Sequence, residues 1–165
     1  MADKNYILDE ETTGRKLRRM AYEISQNNID EREIILAGIE ENGVVIAKQI
    51  QNMLAEISDY KTHLINISLN KRNPTEIRLS ENTDFNNKVI IIVDDVANSG
   101  KTLLFALKPF LEFHPKKIQI LVLVERTHKA FSIKPDYVGI SLSTTIQEHI
   151  FVEVQGDKVM GAWME

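Results

Sequence analysis

The chain has 165 residues, 43% of them hydrophobic and 27% charged, with seven glycines, four prolines and no cysteine. That is the composition of a globular domain, of a length that suits one hydrophobic core. Missing cysteine excludes disulfides, thiolate catalysis and Cys-ligated metal centres, and the net charge of -4, from 20 Lys and Arg against 24 Asp and Glu, gives no support to a chain built mainly to hold nucleic-acid backbone.

Met1–Asn5 carries no apolar leader stretch, and the longest apolar runs, Val89–Val93 and Ile120–Val124, fall far short of the roughly 20 residues that span a bilayer. A cytoplasmic location with no membrane contact is the expectation. Leu17, Met20, Ala21 and Ile24 recur at helical spacing and predict a helix with one apolar face. Residues 34–39 form a short continuous apolar run, the mark of a strand covered on both faces. A turn at Glu40–Gly43 leads into a second helix, stepped out by Val44, Ala47, Ile50, Leu54 and Ile57. His63, Ile65, Ile67 and Leu69 alternate with their neighbours as in a half-buried strand.

Residues 70–87 show almost no periodicity and contain Pro74, so they are read as one long loop; loops of this length in compact domains are often functional lids. Lys88–Val93 is the clearest buried strand. Leu103, Leu104, Leu107, Phe110 and Leu111 mark a helix that Pro109 shortens or kinks. Ile118–Val124 is a further buried strand, Phe131–Tyr137 is irregular, and Tyr137–Leu142, His149–Val154 and Lys158–Met164 read as short strands, the last two joined at Gln155-Gly156-Asp157. Strand–helix–strand repetition predicts an α/β fold with a mainly parallel central sheet and right-handed crossovers. Such sheets place ligands at the carboxyl ends of their strands, so the loops at 40–43, 70–87, 94–101 and 125–135 carry the candidate site.

The stretch Val93-Asp94-Asp95-Val96-Ala97-Asn98-Ser99-Gly100-Lys101-Thr102 is the most informative. Two adjacent carboxylates end a buried strand, and a small polar loop runs into a helix start, where free backbone N–H groups and the helix dipole favour an anion. Gly100-Lys101-Thr102 invites a P-loop reading, but that motif needs glycine five residues before Gly100, where Asp95 stands. A dinucleotide-binding G-x-G-x-x-G is missing as well. Carboxylates beside an anion cradle suit a sugar phosphate: Asp94 and Asp95 accept from two vicinal hydroxyls while the helix start holds a phosphate ester. The plainer alternative is an acidic pair that caps the next helix and does nothing more.

Apolar strand, Asp-Asp, small residues and then Ser-Gly-Lys-Thr resembles the phosphoribosyl-pyrophosphate (PRPP) motif of type I phosphoribosyltransferases. The order of pieces is similar to the PyrR branch of that family, proteins that are both uracil phosphoribosyltransferases and regulators of pyrimidine-operon RNA. The similarity lies in the opening helix Leu17–Ile24, in Ile35–Ile39 followed by Gly43, in Val122–His128 and in Ile133–Gly139.

The resemblance implies the type I phosphoribosyltransferase fold as a single domain over 1–165, with a flexible lid loop near 70–87 and a small hood from about 125–165 that takes an N-terminal contribution. It implies that Asp94 and Asp95 meet the ribose hydroxyls and, directly or through water, Mg²⁺. It assigns the 5-phosphate to Ala97, Asn98, Ser99, Gly100, Lys101 and Thr102, and pyrophosphate to the loop Glu40, Glu41, Asn42 and Gly43. Lid residue Arg78 is expected to act on the leaving group, with Lys71 and Arg72 as further cations there, and Arg126, His128 and Ile133 are expected at the base. The implied reaction transfers phosphoribose from PRPP to a nucleobase, uracil by resemblance. The implied assembly is a homo-dimer or tetramer. RNA is an alternative partner, to which net charge lends nothing, and a nucleotide-sensing regulator with little catalysis is the alternative function. A receiver-like switch using the acidic pair ranks last, because neither the lone strand-ending Asp nor the Lys it needs is found.

The pyrophosphate loop departs from the family pattern. Active relatives carry basic or hydroxyl side chains there, whereas this chain has Glu40 and Glu41. Carboxylates beside pyrophosphate are unfavourable unless Mg²⁺ or a Lys or Arg lies between.

Overall fold

The computed structural model describes residues 4–165. Its larger sheet has six strands: β2 (Glu33–Ile39), β3 (Lys61–Leu69), β4 (Ile77–Leu79), β5 (Val89–Ala97), β6 (Lys117–Arg126) and β7 (Tyr137–Leu142), in the order β4-β3-β2-β5-β6-β7. All neighbours are parallel except β3 and β4. Three further strands, β1 (Asn5–Leu8), β8 (Ile150–Gln155) and β9 (Lys158–Met164), form a separate antiparallel sheet in the order β1-β9-β8.

The continuous apolar runs are central strands covered on both faces. Ile34 and Leu36 of β2, Ile91 and Val93 of β5, and Leu121 and Leu123 of β6 share one core with helices α1 (Glu10–Asn27) and α2 (Asn42–Ile57). The alternate residues Ile35, Ala37, Ile90, Ile92, Ile120 and Val122 belong to a second core with Leu103, Phe85 and Phe110. The predicted face of α1, Leu17, Met20, Ala21 and Ile24, is fully buried. Asp9 caps this helix by accepting from the Thr12 amide at 2.7 Å.

The structure differs from the sequence expectation at the N-terminus, where Asn5–Leu8 is a strand, within 70–87 and in the hood, and it bears out the break expected at Pro109. Within 70–87, Ile77–Leu79 adds an edge strand to β3, and Phe85 is an anchor, 1% exposed, with its ring edge-on to Phe110 and Phe113; three residues are too few to show a period. The helix begun by the PRPP-like loop, α3 (Lys101–Ala106), has six residues and gives way to a 3-10 turn at Lys108–Phe110, because Pro109 has no N–H to continue the ladder. Of the span 125–165, β7 joins the large sheet, and only β8 and β9 pair with β1. No helix among the described residues is long and apolar enough to cross a membrane.

Candidate functional site

Parallel pairing brings the carboxyl ends of β2, β3, β5 and β6 to one edge, so the loops at 40–43, 70–73, 94–100 and 126–133 open on the same side. Asp94 is 1% exposed, and its Oδ1 accepts from the Asp95 amide at 2.9 Å. Burial first, and the neighbouring Asp95 charge second, push its carboxyl up to about 8, against the pull of Lys71. Lys71 Nζ lies 3.3 Å from Asp94 Oδ1 and 3.7 Å from Asp95 Oδ1. Burial pulls that ammonium down, but the two carboxylates outweigh it and hold its pKa above the ordinary lysine value.

Beyond the pair, Ala97 is buried, Asn98 and Ser99 are exposed, and Gly100 turns the chain into α3 with φ of 84°. A side chain at Gly100 is excluded twice, by that angle and by Ile133, whose Cγ2 would lie 2.6 Å from an added Cβ. Ile133 thus packs beneath the loop, which Phe131 steadies by donating its amide to the Ser99 carbonyl at 3.0 Å. Asn98, Ser99, Gly100 and Thr102 line a cavity of about 60 Å³ with Asp94, Asp95 and Lys71.

The Glu40–Gly43 loop sits beside the pair. The peptide Glu40-Glu41 is cis, and both glutamates face solvent. Asn42 donates to Asp95 Oδ2 at 3.0 Å and to the Val152 carbonyl of β8 at 3.2 Å, tying loop, acidic pair and small sheet together. Gly43 is where α2 meets β5: an added Cβ would lie 2.5 Å from the Val93 carbonyl oxygen.

Lid residue Arg78 is not brought to the acidic pair. It stands on β4, its side chain 82% exposed and 3.8 Å from Glu76. It lines a separate cavity with Lys108, Pro109 and Glu112. The cation that the fold delivers is Lys71, seven residues earlier, where the chain leaves β3.

On the other side of the PRPP-like loop a cavity of about 510 Å³ is lined by Asn98, Ser99, Arg126, His128, Ile146, His149 and Phe151, among others. His128 is there, as expected. Arg126 donates from its two terminal guanidinium nitrogens to the carbonyls of Thr145 and Glu148, so it fixes the loop that carries Ile146, while its buried Nε has no partner among the described residues. Phe151, Ile146 and His149 were not legible as lining residues: Phe151 alternates in β8 like any outward strand residue, and Ile146 stands in an aperiodic loop. Phe151 stacks on Trp163 with ring centroids 4.4 Å apart.

A sequence signature described as the phosphoribosyl transferase domain matches residues 4–156. The bifunctional protein PyrR of Clostridium novyi is 35% identical over 164 residues, covering 93% of this chain and 92% of that protein. PyrR of Macrococcus caseolyticus is 32% identical over 160 residues, covering 91% of each. Among solved structures, the hypoxanthine phosphoribosyltransferase of Trypanosoma cruzi superposes with a TM-score of 0.75 at 13% identity, covering 84% of this chain and 81% of that one. A hypoxanthine-guanine phosphoribosyltransferase of Bacillus anthracis gives 0.72 at 20%, covering 87% and 85%. At those identities the structural likeness speaks for the fold.

Proposed function

Because the chain belongs to the phosphoribosyl transferase family, we propose that it moves the phosphoribosyl group of PRPP to uracil, giving UMP and pyrophosphate. The observation that carries this reading is the shared rim. Asn98 and Ser99 stand between the acidic pair, suited to a ribose, and a cavity of about 510 Å³ walled by the Phe151 ring, suited to a planar base. Uracil is favoured over a purine by the PyrR relatives, which are more similar in sequence than the purine enzymes that share the fold.

Asp94 and Asp95 accept from the ribose hydroxyls, and the backbone of Asn98–Thr102 holds the 5-phosphate. The acceptor nitrogen bonds to the anomeric carbon as its bond to pyrophosphate breaks, through an oxocarbenium-like state. The chain contributes alignment and exclusion of water rather than a covalent intermediate. Mg²⁺ fits this site, since the two carboxylates already hold one cation, the Lys71 ammonium. No group of three or more His, Asp or Glu gathers among the described residues, so Asp94 and Asp95 would share such an ion with substrate oxygens and water. When bound, it neutralises charge on the departing pyrophosphate.

The test is pyrophosphate release from PRPP with Mg²⁺ and each of uracil, hypoxanthine, guanine, adenine and orotate. Uracil is expected to give the highest kcat/KM. Release with a purine alone would move the acceptor, and release with none would overturn the reading. Glu40 and Glu41 favour a second function, a nucleotide-responsive RNA regulator with slow turnover, because the pyrophosphate loop supplies no cation. A salt-sensitive shift of pyrimidine-operon leader RNA, strengthened by UMP, would establish it.

A further inference from the structure

We propose that Lys71 is an exchangeable cation: its ammonium competes with the ribose and its metal for the acidic pair, and when the donor binds it is displaced onto the leaving pyrophosphate. The inference rests on the phosphoribosyl reading and adds a residue, and a competition, to it.

Three observations carry it. First, Lys71 reaches from the end of β3 across β2 to the tip of β5, placing its ammonium 3.3 Å from Asp94 and 3.7 Å from Asp95. It touches the same carboxylate oxygens that a vicinal diol needs. Secondly, Lys71 walls the cavity over the Asn98–Thr102 loop, and that cavity measures about 60 Å³. The lysine side chain thus stands beside the two acids on the wall against which a ribose would lie. Thirdly, the displaced charge is needed close by. Glu40 and Glu41 give the pyrophosphate loop two carboxylates and no cation, Asn42 is committed to Asp95 and Val152, and Arg78 is paired with Glu76 on another face. Lys71 is 44% exposed and joins β3 through a short aperiodic stretch, so a rotamer change suffices to swing it outward.

The exchange predicts effects of opposite sign on two ligands. Ribose 5-phosphate has no pyrophosphate, so it meets only the competition; PRPP meets both the competition and the missing cation. In Lys71→Met, calorimetric affinity for ribose 5-phosphate is expected to rise about two- to fivefold, the weight of one half-exposed charge pair. Pyrophosphate release from PRPP is expected to slow about 100-fold, as when one preorganised donor to developing charge is removed. Lys71→Arg restores both toward wild type, which a purely structural lysine would not do. Ribose 5-phosphate affinity that is unchanged or weaker in a folded Lys71→Met would overturn the exchange while leaving the phosphoribosyl reading standing. Wild-type protein that binds ribose 5-phosphate but turns over no base would sink the transferase reading and the leaving-group half of this proposal, with the affinity arm still deciding the competition. No binding of ribose 5-phosphate to any variant would sink both.

Discussion

Replacing Asp94 by Asn should stabilise the protein while disabling it, and the gain should grow with pH. Asp94 is 1% exposed, and burial with the adjacent Asp95 charge raises its carboxyl from 3.8 to about 8. Below pH 3.8 both the folded and unfolded chains hold this proton, and nothing is lost. Above it the unfolded chain releases the proton while the folded chain keeps it, so stability falls as pH rises until the folded group also titrates near 8. The slope is about 1.4 kcal/mol per pH unit. Asparagine has the shape of the protonated acid: its oxygen can accept from the Asp95 amide and its NH₂ can donate to the Asp95 carboxylate. Asp94→Asn should therefore exceed wild type slightly at pH 5 and by a few kcal/mol at pH 7. Urea unfolding of Mg²⁺-free protein, followed by the fluorescence of its single tryptophan, Trp163, measures both gaps, and turnover should be largely lost. A gap that does not widen between pH 5 and 7, or a variant less stable than wild type at pH 7, would refute the reasoning.

Gly43→Ala puts a methyl 2.5 Å from the Val93 carbonyl oxygen and 3.2 Å from the Asp94 Cα. It should cost about 1–3 kcal/mol in urea unfolding, the usual range for overpacking, and should also raise the KM for PRPP by moving the pyrophosphate loop off β5. Phe151→Ala should raise the KM for the base about tenfold with little change for PRPP, because a stacking face is worth about 1–3 kcal/mol per base; equal effects on both substrates would move the base elsewhere. Tyr137→Phe removes a phenol that donates to Gln119 at 2.8 Å and accepts from Asn27, at the end of α1, at 3.3 Å. Its cost should be about 1 kcal/mol in the urea midpoint with kcat unaltered.

The central strands and the acidic loop were legible in the sequence because each is continuous and local. Ile34–Ile39 and Val89–Val93 are apolar without interruption, as double-sided burial demands, and Asp94–Thr102 holds its pieces at fixed offsets along nine residues. What escaped depends on the path of the chain through space. Lys71 and Arg78 are alike as sequence, two cations in one loop, and only the turn of Ile77–Leu79 back along β3 sends Arg78 to another face and leaves Lys71 at the acids. The place of Phe151 on the wall of the cavity of about 510 Å³ depends on β8 lying beside the loops of the other sheet, where Asn42 bridges to Val152. Strand β1 was missed because four residues, Asn5–Leu8, show no period. Pro109 was correctly a breaker, and its consequence is that α3 keeps only its first six residues.

Transfer itself is tested most directly by product stoichiometry. Full-length protein incubated with PRPP, Mg²⁺ and uracil should consume the two substrates one for one and yield UMP and pyrophosphate in equal amounts, each identified by mass. Pyrophosphate without a nucleotide would make the protein a PRPP hydrolase, and PRPP left intact at saturating base would contradict the account at its centre.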